Sequence, residues 1–267
     1  MSKFVILPIE LIYRILDQQN DCTLFFSMQN VCRRFNQILK TYHRYQRIIA
    51  LDFGHTEIGV KGAQHLAHAL KTNMTLTTLN IRSNQIGDRG AHYIANALTT
   101  NTILITLNLS YNQISDEGIQ HLSHALQINT TLISLDLGHN KIDDKGAQHI
   151  SNALQTNTTL TTLNLGYNWI GVKGAQHFGY SLEINTGLTT LNLTNNCFGV
   201  KGAQHIVNAF ETNTVTFILD ASIYQLFLFH HQQTLSSLEL GRNGIREEDV
   251  EHFRSAAGSP LRMVRWH

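Results

Sequence analysis

The sequence predicts an α/β solenoid, a stack of like units with one strand and one helix each. Three columns of residues carry that expectation. Asn84, Asn112, Asn140, Asn168 and Asn196 recur every 28 residues, with Thr56 in the same place one period earlier. Gly62, Gly90, Gly118, Gly146, Gly174 and Gly202 keep the same beat, and so do Asn73, Asn101, Asn129, Asn157, Asn185 and Asn213. Self-similarity at a fixed period of this size marks a repeat architecture, in which a unit buries its apolar face only by stacking on the next.

Each unit reads like Leu160 to Leu188. Its first part alternates, with Leu163 and Leu165 flanking Asn164, and that is the pattern of a short strand with one buried face. Strands are therefore expected to centre on Leu51, Leu79, Leu107, Leu135, Leu163, Leu191, Leu219 and Leu238. The chain then turns inward, stranding backbone N–H and C=O groups. One asparagine per unit can serve both kinds, having a donor and an acceptor on one side chain. The glycine column is expected to open a helix where backbones pass closely, and Phe178 and Leu182, four apart, form the apolar stripe of that helix. The second asparagine column is expected to end it in the left-handed conformation. The pattern degrades after Asn213: Tyr224 replaces the inward-turning asparagine, and Leu238 follows Leu219 by only 19 residues. Residues near 214–234 are read as a degenerate repeat. Leu235 to Phe253 is read as the last one, with an acidic helix start (Glu247, Glu248, Asp249) suited to a helix N-terminus and to a C-terminal cap.

The string L-x-x-L-x-L-x-x-N-x-I followed by G-x-x-x-(L/I)-x-x-A-L resembles the ribonuclease-inhibitor type of leucine-rich repeat, from Ile48 to about Phe253. The resemblance implies a leucine-rich-repeat horseshoe solenoid, parallel strands inside and helices outside, over residues 47–267. It extends to the scaffold and not to that inhibitory activity, since the inhibitors are cysteine-rich and this chain has three cysteines.

Residues 1–46 follow a different grammar. Pro8 suits a helix start, and Leu11, Ile12, Ile15 and Leu16 share one apolar face. Two further apolar helical segments follow, giving a small N-terminal all-α segment. The order L-P-x-E-L-I-x-x-I-L, a leucine/phenylalanine stretch, then V-C-R-R-F resembles an F-box. That resemblance implies docking on a Skp-type adaptor of cullin-based ubiquitin ligases through Leu7, Pro8, Ile9, Leu16, Val31 and Cys32. The chain departs from the family at Asp17-Gln18-Gln19-Asn20, in the first interhelical loop. The other reading of this segment is a helical cap over the first repeat, and the two roles are compatible.

Composition narrows the function. The net charge is +1 with histidines neutral, so no electrostatic footprint for nucleic acid or acidic lipid follows. Cys22, Cys32 and Cys197 are odd in number and form no C-x-x-C pair, which fits a reducing, intracellular, cytoplasmic setting. No stretch approaches the length of a membrane span. No phosphate loop, G-x-S-x-G elbow or paired carboxylate argues for an enzyme or a cofactor. His65, His121, His149, His177 and His205 share a helical column with Tyr93. Side chains on neighbouring helices about 8–10 Å apart are expected to diverge on the outer surface instead of converging on a metal.

What remains is a protein-binding module whose target is not named by the sequence, either an F-box receptor or a stand-alone binding or inhibitory scaffold of the kind a microbial effector uses. On the strands, one outward row is nearly constant: Asp52, Asn80, Asn108, Asp136, Asn164, Asn192 and Glu239. Such a row is expected to serve sheet geometry and hydrogen bonding as much as recognition. The row before the turn asparagine varies sharply (His55, Ser83, Tyr111, His139, Tyr167, Asn195, Arg242). Tyr111, His139, Tyr167 and Trp169, with Arg82 nearby, are therefore the expected target-binding patch, because such residues dominate interface hot spots. The alternative is that each aromatic packs over its neighbour's turn.

Overall fold

The computed structural model describes residues 48–209 and 216–218. The F-box-like Leu7, Pro8, Ile9, Leu16, Val31 and Cys32, and the strand expected at Leu238, lie outside these described residues. Among the described residues, seven short parallel strands form one sheet in chain order: β1 (Ala50–Asp52), β2 (Thr78–Asn80), β3 (Thr106–Asn108), β4 (Ser134–Asp136), β5 (Thr162–Asn164), β6 (Thr190–Asn192) and β7 (Thr216–Ile218). Between them run α1 (Gly59–Leu70), α2 (Gly87–Leu98), α3 (Asp116–Ile128), α4 (Asp144–Leu154), α5 (Val172–Ile184) and α6 (Gly199–Ala209). The register joins leucine to leucine from Leu51↔Leu79 through Leu163↔Leu191, as the period demands. The last pairing differs. Phe217, not Leu219, stands opposite Leu191. The final crossover is two residues short.

Six columns of large apolar side chains, with smaller alanines between them, fill the space between sheet and helices. One unit contributes Leu132, Leu135, Leu137, Ile142, Ile150 and Leu154, each no more than 1% exposed. Burying a side chain of this kind stabilises by about 1.5–3 kcal/mol. Adjacent strands sit about 4.8 Å apart and adjacent helices about 8–10 Å, so a stack of such units must curve with the sheet on the inside. The strand face is thereby concave.

The turn asparagines stitch units together. The Asn140 Oδ1 accepts from the backbone N–H groups of Asn112 and Ile114 in the preceding unit, both at 3.0 Å. Its Nδ2 donates to the carbonyls of Leu109, Leu137 and Gly138 at 3.1, 3.0 and 3.3 Å. Asn112 repeats the pattern, accepting from Asn84 and donating to the Ile81 carbonyl.

The second asparagine column departs from expectation. Asn129 closes α3 with an extended backbone, φ −73° and ψ 128°, not a left-handed one. Its side chain does the work instead: Oδ1 accepts from the N–H groups of Thr131 and Leu132, and Nδ2 donates to the carbonyls of Leu98 and Asn101. It fastens the end of one helix to the entry of the next strand.

The glycines stand inside the first helical turn, at positions three or four of their helices. A Cβ on Gly146 would lie 2.5 Å from the Asp116 Oδ1 and 2.6 Å from the Ile142 Cγ2. Asp116 needs that room because its carboxylate reaches into the next unit, accepting from the N–H groups of Asp143 and Gly146. Asp88 does the same for Ser115 and Gly118, and Asp144 for Gly171 and Gly174. Each aspartate of one helix start thus caps the start of the next helix, where orphan N–H groups and the helix dipole favour negative charge. Burial pushes the Asp116 carboxyl above the usual carboxylate range.

Candidate functional site on the concave face

The constant outward row is a hydrogen-bonding device. Side chains of this row bend back on their own strand ends: the Asp136 Oδ1 accepts from Gly138 N–H, the Asn164 Oδ1 from Gly166 N–H, and the Asn192 Oδ1 from Thr194 N–H. Neighbours are cross-linked as well, Asn80 to Asp52 and Asn164 to Asp136, each at 2.9 Å.

Beside this polar row the backbone turns left-handed. His55, Ser83, Tyr111, His139, Tyr167 and Asn195 all have φ between 51° and 59°. Side chains seldom occupy this region. The six successive units nonetheless adopt it at the same place, so the variable row projects along one line at the rim of the concave face. On that line the aromatic residues stack upon one another and not over the turns. The Tyr111 and His139 rings lie 3.8 Å apart, tilted by 14°, and His139 and Tyr167 lie 4.0 Å apart, tilted by 12°. The Tyr111 hydroxyl is 2.8 Å from the His139 Nε2. Arg82, one residue before its unit's place in the row, lays its guanidinium 4.6 Å from the Tyr111 ring centre. The order along the rim is Arg82, Tyr111, His139, Tyr167.

Trp169 stands apart from this rail. Its backbone N–H donates to the Ile142 carbonyl, and its backbone is outside the left-handed set that includes Glu57, Gln85 and Gln113 at the same place in earlier units. It has no ring contact among the described residues. Tyr111, Tyr167 and Trp169 are 39%, 50% and 57% exposed, a large aromatic area held toward solvent.

Burial in the stack, and next the Arg82 charge, hold the His139 imidazole below its ordinary value, while Asp136 opposes them. A group of depressed pKa favours folding fully above its unfolded value, about 6.5 for histidine, and loses that contribution as pH falls. Acidification from about pH 7.5 to about pH 5.5 is therefore expected to lower the melting temperature. His139→Gln should lose less over the same interval, and equal losses in calorimetry would contradict the assignment.

On the helix side, one histidine of the column meets a histidine from outside it. The His121 ring meets His92 of the adjoining helix edge-on, with centroids 4.3 Å apart. Among the described residues no group of three histidine, cysteine, aspartate or glutamate side chains is placed to hold a metal. No helix among them is long and apolar enough to cross a membrane.

Strand–helix units in parallel register, with a polar row and an aromatic rail on the inner face, define an α/β repeat solenoid built to present a continuous binding surface. Its units are leucine-rich repeats: residues 72–95, 100–123, 129–151, 156–179 and 185–207 match that family, described as leucine-rich repeat. Solenoids of this class are protein–protein interaction modules. Among solved structures, the chain is similar to actin-binding site 2 of leiomodin-1, with 26% identity over 55% of this chain and 86% of that one, TM-score 0.49. It is also similar to the tropomodulin C-terminal domain of Caenorhabditis elegans, with 10% identity over 66% of this chain and 92% of that one, TM-score 0.42. No curated protein matches the sequence.

Proposed function

We propose that the chain is a substrate receptor of a Skp/cullin/F-box ubiquitin ligase, a cytoplasmic binding protein and not an enzyme. The repeats hold a protein target on the concave face, and the N-terminal segment docks on a Skp-type adaptor. The target half of this reading is carried by one observation: three aromatic side chains, Tyr111 on one unit and Tyr167 and Trp169 on the next unit but one, stand 39–57% exposed on that face. The adaptor half is supported by the ordered L-P, I-L and V-C-R-R-F elements of the sequence.

The test is co-purification of the full chain with a recombinant Skp-type adaptor. The wild-type protein is expected to form a stable complex. The double change Leu7→Ala, Pro8→Ala should abolish it while leaving the melting of the repeats unchanged. A wild-type chain that leaves the adaptor unbound makes the first residues a cap and the molecule a stand-alone scaffold.

A further inference from the structure

The aromatic rail has two ends, and they differ. Stacking at 3.8 and 4.0 Å closes the ring faces between Tyr111 and His139 and between His139 and Tyr167. Nothing can slide between rings at van der Waals contact, so the middle of the rail offers a partner only ring edges. The outer face of Tyr111 is already taken by the Arg82 guanidinium at 4.6 Å. The outer face of Tyr167 looks toward the next unit, whose place in the row belongs to Asn195, a residue without a ring. Tyr167 is half exposed, and among the described residues no ring or cation stacks on that face. Trp169, two residues on in the chain, is a second exposed aromatic side chain of the same unit.

We propose that the open face of Tyr167 receives an arginine side chain of the partner protein, so that a guanidinium closes this end of the rail as Arg82 closes the other. The chain itself supplies the precedent for the chemistry. Both ends terminate in a tyrosine of left-handed backbone, on the same line and in the same orientation along the stack. A ring face is electron-rich and attracts a cation. The guanidinium suits it better than an ammonium group, being planar and more weakly hydrated, and so able to lie flat on the ring with its N–H groups free at the edges. An apolar side chain would gain the contact area but not the electrostatic attraction.

This inference rests on the concave rim being the protein-binding surface, and the experiment separates the two. A random-peptide phage library is panned on the immobilised full chain, and selected peptides are titrated against variants. Enrichment of arginine over the input library is expected. Replacing the selected arginine by glutamine should weaken binding about twofold to fivefold, the range of an exposed cation–π contact. Tyr167→Phe, which keeps the ring face, should retain that difference. Tyr167→Leu, which fills the site without a π face, should erase it. Peptides that need the rim but show no preference for arginine, or take lysine equally well, overturn the inference and leave the binding surface standing. An arginine effect that persists in Tyr167→Leu overturns it in the same way. A library yielding only peptides indifferent to loss of Tyr111, Tyr167 and Trp169 overturns both.

Discussion

Asn140→Ala is expected to destabilise the repeat stack by about 3–4 kcal/mol, a large effect for the truncation of one polar side chain. The side chain is 6% exposed and sits between two units. Its removal leaves the N–H groups of Asn112 and Ile114 without an acceptor, and the carbonyls of Leu109, Leu137 and Gly138 lose a donor. Each buried group stranded in this way costs about 1–3 kcal/mol. Asn140→Asp separates the two halves of the network. It keeps the acceptor oxygen but turns a second oxygen toward three carbonyls, so it should destabilise at least as much as alanine. Urea unfolding of the three proteins checks the order, and an aspartate variant as stable as wild type would contradict it.

The second large effect is on binding. Tyr111→Ala, Tyr167→Ala and Trp169→Ala together are expected to reduce affinity for the cellular partner recovered on the wild-type chain by about a hundredfold or more, since buried aromatic anchors are each worth roughly 2 kcal/mol or more at an interface. Stability should fall much less. Two stacked contacts are lost, at about 0.5–1.5 kcal/mol each, together with the exposed Arg82 contact to Tyr111, at about 0.5–1 kcal/mol. Because Tyr111 and Tyr167 are left-handed, asparagine is the better-matched replacement at both, as the chain itself uses at Asn195. Binding and thermal melting measured on the same preparations decide the matter. Binding per folded molecule that survives the triple change would make the rail a structural element only.

The solenoid, its strand centres through Leu191 and the bonding role of the polar row were legible in the sequence, because each depends on a period of 28 residues that can be counted directly. Three details were not countable. A column of asparagine suits a left-handed helix end and an extended, side-chain-bonded one equally, and only the backbone at Asn129 distinguishes them. Asp88, Asp116 and Asp144 also recur at 28 residues, yet their reach into the following helix shows only when the cavity above each glycine is seen. At the rim, residue type and spacing placed Tyr111, His139 and Tyr167 on one line with Arg82 beside them. They did not show that Trp169 leaves it, since the change of turn after the asparagine has no signature in residue identity.

The stitching between units has a consequence for how force and damage spread. The side-chain hydrogen bonds of the turn asparagines join neighbouring units, as in the 31-position span from Asn140 back to Leu109. A globular core shares a local injury among distant segments. This molecule is closer to a chain of links, each held by its two neighbours alone. Weakening one link in the middle therefore creates a hinge, with two shorter solenoids on either side that keep their own cohesion. A protease, a pulling motor or a mutation acting at one unit would part the protein there and leave the rest intact.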